Sequence, residues 1–195
     1  MANCTDEELM NLVGNHDIHA FEELFERYER RIFTFFYRLT SNTEEARDHT
    51  QETFLRLWRG RVGYTPKGKF TTYIFQIAKN HFLNERDKKK TRISVKQFIG
   101  ENPKECLQKQ GISDNSIHQA IANEIGLAID KAITNLPEIH RLVYILSEEQ
   151  HLSYKEISDV LDCPVGTVSS RKVEAVKKLR KILEPLKDEI LGKDS

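Results

Sequence analysis

The chain has 195 residues, of which 38% are hydrophobic and 31% charged, and its 30 basic and 30 acidic side chains give a net charge of zero. This length accommodates one domain or two small ones. No apolar run approaches the roughly 18 residues that a membrane span requires, and the acidic N-terminus, MANCTDEELM, has none of the features of a secretory signal. We therefore expect a cytoplasmic protein that does not insert into a membrane.

Three cysteines, Cys4, Cys106 and Cys163, are scattered along the chain, and no pair of them has the spacing of zinc ligands. We expect three reduced thiols, no bound metal and no cofactor. A redox-sensing role for one of these thiols is the alternative that the sequence leaves open.

The neutral net charge hides an alternation of basic and acidic segments. Residues 61–110 carry 12 basic and 4 acidic side chains, a net charge of +8, whereas residues 1–60 and 111–160 each have a net charge of −5. Residues 161–195 are basic again, with a net charge of +2. Basic segments favour binding to polyanions such as nucleic acid, so the sequence predicts two segments of this kind.

The first 90 residues are predicted to form an all-helical domain. The pattern TDEE at Thr5–Glu8 is typical of a capping box that begins a short first helix. Apolar residues recur at helical spacing through Phe21–Leu39 and predict a long amphipathic helix. A third helix is predicted over Thr43–Trp58, capped by its first residue, and a fourth over Phe70 to about Lys88.

Residues 91–115 contain two glycines and a proline and have no clear period, which predicts a flexible linker between two domains. The second domain, residues 116–195, is predicted to begin with a capping box at Ser116–Gln119, and Pro137 suits the start of a later helix. The predicted fold class is therefore all-α, with two small helical domains, the C-terminal one a helix-turn-helix.

The helix-turn-helix prediction depends on the spacing of a few residues near the C-terminus. A capping box at Ser153–Glu156 opens a short helix, Asp162 falls at the turn, and Val168 is the aliphatic anchor of the next helix. That next helix has a predicted buried stripe formed by Val168, Val173, Val176, Leu179 and Leu183. An ordinary helical hairpin with a solvated cationic face is the alternative.

The start of this basic helix has the residue types that contact duplex DNA in the major groove. Arg171 can hold a guanine edge through two hydrogen bonds, whereas lysines and short hydroxyl side chains suit phosphates. The candidate residues are Thr167, Ser169, Ser170, Arg171, Lys172, Lys177 and Lys178.

The third predicted helix carries a polar stripe, because Asp48, Gln51, Glu52 and Leu55 fall at the i, i+3, i+4 and i+7 positions of one face. The stripe is either solvated surface or a docking strip for a partner helix. A helical enzyme that uses Asp48, Glu52 and His49 is disfavoured, since no cluster of His or Cys at ligand spacing accompanies them.

The next segment interleaves aromatic and basic residues. Aromatic faces stack unpaired bases, and cations follow the phosphates of a single strand. Tyr64 lies in a loop bounded by Gly and Pro, where core packing is not expected, whereas Phe70 is predicted to be a core residue. The remaining members of the segment are Tyr73, Lys67, Lys69, Lys79, Arg86, Lys88, Lys89, Lys90 and Arg92.

Three stretches resemble motifs of the extracytoplasmic-function (ECF) group of alternative RNA polymerase sigma factors. The family's strip for binding polymerase is similar to DHTQETFLRLW. The segment that melts and reads the minus-10 promoter element is similar to FTTYIFQIAKNHFLNERDKKK. The reader of the minus-35 element is similar to LSYKEISDVLDCPVGTVSSRK. The resemblance covers roughly Ala20–Lys90 and Ile129–Leu183.

The resemblance implies a protein that is not an enzyme but directs promoter-specific transcription initiation through three surfaces. The docking strip for core polymerase consists of Asp48, Gln51, Glu52 and Leu55. The predicted minus-10 surface consists of Tyr64, Lys67, Lys69, Tyr73, Lys79, Asn80 and Arg86. The predicted minus-35 surface consists of Thr167, Ser169, Ser170, Arg171, Lys172, Lys177 and Lys178.

The partners that the resemblance implies are core RNA polymerase, promoter DNA as duplex and as melted strand, and an anti-sigma factor. The chief alternative is a stand-alone helix-turn-helix regulator that binds operator DNA and never contacts core polymerase. That alternative accounts for the second domain and leaves both the docking strip and the aromatic and basic segment unexplained.

Overall fold

The structure is a computed structural model that describes residues 4–66, 68–98, 126 and 128–190, with the side chains of all of these except 92–98 and 186–190. Every regular element in these ranges is helical and none is a strand, which confirms the all-α fold. The helices are α1 (Asp6–Gly14), α2 (Ile18–Thr40), α3 (Thr43–Arg59), α4 (Phe70–Phe98), α5 (128–134), α6 (Glu138–Tyr144), α7 (Tyr154–Leu161) and α8 (Val165–Ile190). A 3-10 turn at Arg61–Gly63 follows α3, and a π-helical turn at Ile145–Glu149 extends α6. Among these residues no helix combines the length and the apolar character that crossing a bilayer demands.

Two predicted capping boxes are present. The Thr5 amide donates to Glu8 Oε2 at 2.8 Å while the Glu8 amide donates to Thr5 Oγ1 at 3.2 Å, so α1 begins where the sequence predicts. Ser153 and Glu156 form the same reciprocal pair at the start of α7, at 2.8 and 3.3 Å. Each box satisfies two amide groups that a helix start otherwise leaves unpaired.

The predicted cap of α3 is wrong by one residue. Asn42 is the N-cap, and its Oδ1 accepts from the amides of Glu44 and Glu45 at 2.9 and 3.1 Å, while Thr43 is the first residue of the helix. Asn ranks above Thr as an N-cap, because its side-chain oxygen reaches the unpaired amides of the first turn in an extended backbone conformation.

Helix α4 continues to Phe98, ten residues beyond the predicted end at Lys88. The stretch DKKKTRISVKQF contains neither Gly nor Pro, so nothing in it breaks a helix. The predicted linker boundary at residue 91 therefore falls inside α4. Most of the predicted linker, the capping box at Ser116–Gln119 and Cys106 lie outside the described residues, and the domain boundaries stay predictions.

Helices α1–α4, the first half of the described chain (residues 4–98), pack around an aromatic core. Phe35, Phe36, Phe70 and Phe75 are fully buried, which confirms the core position predicted for Phe70. Phe35 and Phe75 meet edge to face with ring centroids 5.4 Å apart, an arrangement that aromatic pairs favour. The core fixes α3 and α4 against α2, so that their outer faces are held in a defined arrangement.

Helices α5–α8, the second half (residues 126–190), have an aliphatic core. Asp162 takes the left-handed conformation at the turn between α7 and α8, with φ 52° and ψ 54°, and Val168 is fully buried, as the helix-turn-helix pattern predicts. The predicted apolar stripe of α8 is wrong at Val173, which is 62% exposed, while Lys172 and Ala175 turn inward.

The two halves contact each other. On α2, Arg38 forms ion pairs with Asp130 and, at 2.8 Å, with Glu149. Arg31 donates from Nη2 to the backbone carbonyl of Gln150 at 3.0 Å. A second contact joins α4 to α7, so the halves meet along two different helices of the first half.

Candidate functional site

The docking strip forms an outward face of α3. Asp48 and Gln51 are exposed, and Leu55 is 47% exposed, whereas Phe54 on the opposite side is buried. The carboxylate of Glu52 accepts from Arg56 Nε at 2.8 Å and is partly shielded. A single exposed leucine among polar side chains fits either solvated surface or a docking strip for a partner helix, so the docking role stays a prediction.

The aromatic part of the minus-10 surface consists of Tyr64, in the loop before α4, and Tyr73, in the first turn of α4. The rings of Tyr64 and Tyr73 pack against each other with centroids 5.0 Å apart, and both are half-buried. Burial raises the pKa of both phenols, and the Tyr64 hydroxyl is enclosed with no hydrogen-bond partner among the residues that the structure describes. The pair lines a cavity of about 1030 Å³ between this loop and α7, a volume at the upper end for small-molecule sites.

Two cations of the minus-10 surface pair with carboxylates of the second half. Lys69 Nζ lies 2.9 Å from Glu156 Oε1, and Arg86 pairs with Glu138. Burial opposes ionisation of Glu156, but hydrogen bonds from Ser153 and Lys69 outweigh it and lower the pKa of the carboxyl to about 2. In this conformation each of the two cations is paired with a carboxylate, although the Lys69 side chain is still 72% exposed whereas that of Arg86 is 29% exposed.

The remaining minus-10 residues differ in exposure. Lys79 is half-buried, and burial lowers the pKa of its ammonium group while the charge of Asp162 opposes that shift. Asn80 is exposed. Lys67 lies outside the described residues. Gln76, which is not among the predicted site residues, donates from Nε2 to the backbone carbonyl of Asp159 at 2.8 Å.

The minus-35 surface lies at the start of α8. Ser170 and Lys177 are exposed, and Thr167, Ser169, Arg171 and Lys178 are half-exposed. Arg171 Nη1 lies 3.5 Å from Cys163 Sγ, a weak acceptor that leaves most of the guanidinium donors available. Six of the seven predicted residues are therefore accessible on one helix.

Lys172, the seventh, turns inward and is only 8% exposed. Its ammonium group lies 5.2 Å from the ring centre of Tyr144 and contacts the Ser147 hydroxyl and the Glu148 carboxylate. The hydrogen bond from Lys172 lowers the pKa of Glu148. In this conformation Lys172 ties α8 to the π-helical turn, and its DNA contact stays a prediction.

A pair of histidines in the first half, of which His81 is buried and His49 half-buried, was not predicted from the sequence. His49 Nδ1 lies 2.9 Å from His81 Nε2, and both rings pack near Phe36. Burial lowers the pKa of both imidazoles, that of His81 to about 4. His49 thus turns into the protein interior rather than toward a surface site with Asp48. The sequence indicates a buried position for His81, because this residue falls on the apolar face of the fourth predicted helix.

Within the part of the chain that the structure describes, no three His, Cys, Asp or Glu side chains are grouped so that they could hold a metal ion.

The two halves coincide with matches to known families. Residues 24–92 match sigma-70 region 2, and residues 126–179 match sigma-70 region 4. The RNA polymerase sigma-H factor of Pseudomonas aeruginosa is 29% identical over 189 residues, covering 93% of this chain and 95% of that protein. The ECF RNA polymerase sigma factor SigW of Bacillus subtilis is 29% identical over 176 residues, covering 89% and 94%. The ECF RNA polymerase sigma-E factor of Escherichia coli K12 is 29% identical over 185 residues, covering 93% and 96%.

Two solved structures share the fold. The sigma factor RpoE of Bartonella quintana, solved with the anti-sigma factor NepR, has a TM-score of 0.67 and 20% identity, covering 84% of this chain and 96% of that chain. CnrH, solved with the cytosolic domain of CnrY, has a TM-score of 0.69 and 19% identity, covering 92% and 97%. At these identities the likeness concerns the fold.

Proposed function

Because this chain belongs to the ECF group of sigma-70-type RNA polymerase sigma factors, we propose that it directs promoter-specific transcription initiation through the three surfaces described above. The observation that carries the proposal is the occurrence of region 2 and region 4 in one chain, in this order, with full-length relatives that match nearly end to end. In this proposal the chain supplies free energy of binding to promoter DNA, and the polymerase catalyses RNA synthesis. Both act in the cytoplasm.

The docking strip is the proposed contact with core polymerase. Its support is the exposure of Asp48, Gln51 and Leu55 on one side of α3, within the region 2 match. The aromatic core behind the strip holds α3 rigidly, so little conformational freedom is lost when a partner helix docks.

The minus-10 surface is the proposed site where the promoter is opened. Extruding a base costs a few kcal/mol, and stacking it on an aromatic ring recovers about 1–3 kcal/mol. Tyr64 and Tyr73 supply aromatic rings beside a cavity, and Lys69, Lys79 and Arg86 supply cations for the strand. The surface thus offsets part of the free-energy cost of one unstacked base.

The minus-35 surface is the proposed contact with upstream duplex. Arg171 is placed to read a base edge, while Ser170 and Lys177 suit phosphates. The two DNA contacts are held by one polymerase, so the second forms at a high effective concentration. Modest basic patches on a neutral chain are then sufficient for promoter selection.

An anti-sigma factor is a further proposed partner. The Bartonella quintana sigma factor was solved with an anti-sigma factor, and CnrH with the cytosolic domain of CnrY. A partner of this kind acts on this chain by competing with polymerase or DNA for the same three surfaces.

Binding to core polymerase tests the proposal against the stand-alone regulator. We expect the purified chain to bind the core polymerase of its host more tightly than it binds any promoter duplex alone. Leu55→Asp is expected to weaken core binding, whereas Ile18→Asp, which places the same charge at a 60% exposed site on α2, is expected to leave it unchanged. Tight binding to an operator duplex without any affinity for core polymerase would establish the regulator instead.

A further inference from the structure

We propose that α1, together with the turn that follows it, is a positioning element for the minus-10 surface, because it holds both ends of the loop in which Tyr64 lies. The inference rests on the function proposed for that loop, which joins α3 to α4. Helix α1 precedes the region 2 match, which begins at residue 24, and it contains none of the residues predicted to contact DNA or polymerase. Its side chains orient the loop and do not themselves bind DNA.

Helix α1 is itself firmly fixed in the first half of the chain. Leu9, Met10 and Val13 on its inner face are fully buried within the core. On its outer side, Arg27 of α2 donates from Nη1 to the Asp6 carboxylate at 2.7 Å. A residue that orients a binding surface must be held by packing and hydrogen bonds of its own, and α1 meets this requirement.

Glu7 holds the end of the loop, where α4 begins. Its Oε1 accepts from the amide of Phe70, the first residue of α4, at 2.7 Å. The first amides of a helix have no partner within the helix, and Lys69, the residue before α4, has no side-chain oxygen to accept from them. Glu7 therefore supplies, from another helix, the acceptor that an N-cap residue ordinarily supplies, and its negative charge is favourable at a helix N-terminus.

A second set of contacts fixes the next residue of α4. Tyr28 Oη donates to the Asp6 carboxylate and lies 2.8 Å from Thr71 Oγ1. Because the single phenolic hydrogen goes to Asp6, the Thr71 hydroxyl donates to Tyr28. The rings of Tyr28 and Phe70 also meet edge to face, with centroids 5.1 Å apart. The first turn of α4 is thus connected to α1 at two successive residues.

Arg61 holds the start of the loop against the turn that follows α1. Its Nη2 donates to His16 Nδ1 at 2.7 Å, and its Nη1 donates to the Trp58 carbonyl at 2.7 Å. The guanidinium group also lies over the Trp58 ring, 4.2 Å from the ring centre. His16 has a left-handed backbone conformation, with φ 68°, in the turn between α1 and α2. This turn presents the imidazole to Arg61 and so connects the start of the loop to α1.

The aromatic pair of the minus-10 surface lies between these two anchor points. Tyr73 is in the first turn of α4, and its ring packs against that of Tyr64 with centroids 5.0 Å apart. Burial and, after it, the charge of Glu7 raise the pKa of the Tyr64 phenol, as expected for a carboxylate near the ring. Rings that are already in place lose little conformational freedom when a base stacks on them, so the two anchors favour promoter opening.

Glu7→Ala tests the proposal, because it removes the acceptor at the start of α4. We expect polymerase carrying this variant to open promoters about three to ten times more slowly than the wild type, the factor that corresponds to one lost hydrogen bond. The measurement is the rate at which thymines become reactive to permanganate at saturating polymerase, and core affinity is expected to be unchanged. Glu7→Gln keeps a side-chain oxygen and is expected to restore most of the rate.

The matched control is Asn42→Ala. It removes the N-cap of α3, at the end of that helix remote from the loop, and is expected to leave the opening rate unchanged. Comparable slowing by Asn42→Ala would show that the opening rate reports a general loss of helix-start hydrogen bonds, which would overturn the positioning role.

A double-mutant cycle with Tyr64→Ala separates positioning from a general loss of stability. If Glu7 acts through Tyr64, Glu7→Ala slows opening in the wild type but adds nothing once Tyr64 is replaced. Equal slowing in both backgrounds, or a Glu7→Ala rate equal to that of the wild type, would overturn the proposal. If Tyr64→Ala alone opens promoters at the wild-type rate, the function proposed for the loop is wrong, and the positioning role is then wrong as well.

Discussion

The buried His81, paired with His49, predicts that the first half loses stability in mild acid. His81 is 4% exposed, and burial lowers its pKa from 6.5 to about 4. A histidine whose pKa is lower in the folded state contributes stability above pH 6.5, and that stability is lost as the pH falls toward 4. Between pH 7.5 and pH 5 the unfolded chain takes up a proton that the folded chain does not, which lowers the free energy of unfolding by about 2 kcal/mol.

Urea unfolding of wild type and His81→Gln at pH 7.5 and pH 5 measures this effect. The glutamine can still hydrogen-bond to His49 but does not titrate. Between pH 7.5 and pH 5 we therefore expect the free energy of unfolding of the variant to fall by about 2 kcal/mol less than that of the wild type. His19→Gln changes a histidine whose side chain is 83% exposed and is expected to behave as the wild type. If the free energy of unfolding of His81→Gln falls between these two pH values by as much as that of the wild type, His81 is not the cause of the pH dependence.

Three further predictions concern the three surfaces. Gln51→Ala combined with Leu55→Ala is expected to weaken binding to core polymerase by about tenfold, as measured by titration with labelled core; unchanged affinity would contradict the docking strip. Tyr64→Ala is expected to slow promoter opening by about five- to a hundredfold, with little effect on initial promoter binding, because a stacking surface is lost; permanganate footprinting of unpaired thymines measures it, and an opening rate equal to the wild type counts against the role. Arg171→Ala is expected to reduce minus-35-dependent initiation about ten- to a hundredfold while core binding is retained; parallel loss of both would point to misfolding instead.

The local structure of the chain was largely predictable because it depends on short-range rules. The capping box at Ser153–Glu156, the left-handed turn at Asp162 and the buried Val168 follow from the preferences of individual positions. The aromatic core was predictable for the same reason, since Phe70 falls on the apolar face of an amphipathic helix.

Features that depend on contacts distant in sequence were not predictable. The apolar period of α8 predicts a buried Val173, but the π-helical turn at Ile145–Glu149 brings Glu148 to the place where Lys172 can bind it. A π-helical turn cannot be predicted from the spacing of apolar residues in the sequence. The end of α4 was missed because solvated lysines at 88–90 resemble a helix end, although no residue there breaks the helix.

The contact between the two halves had one trace in the sequence, the alternation of basic and acidic segments. From that alternation the sequence predicted polyanion binding, not a contact between the halves, and many pairings of side chains satisfy the same net charges. The pairs of Lys69 with Glu156 and of Arg86 with Glu138 follow only once the helices are packed.

Run-off transcription with the host's core polymerase, with and without the purified chain, on a library of promoter fragments tests the central claim most directly. We expect the chain to produce discrete transcripts from fragments that share one pair of upstream sequence elements, and core polymerase alone to produce none of them. An identical pattern of RNA with and without the chain, under conditions in which the chain is folded, would contradict its assignment as the initiation factor.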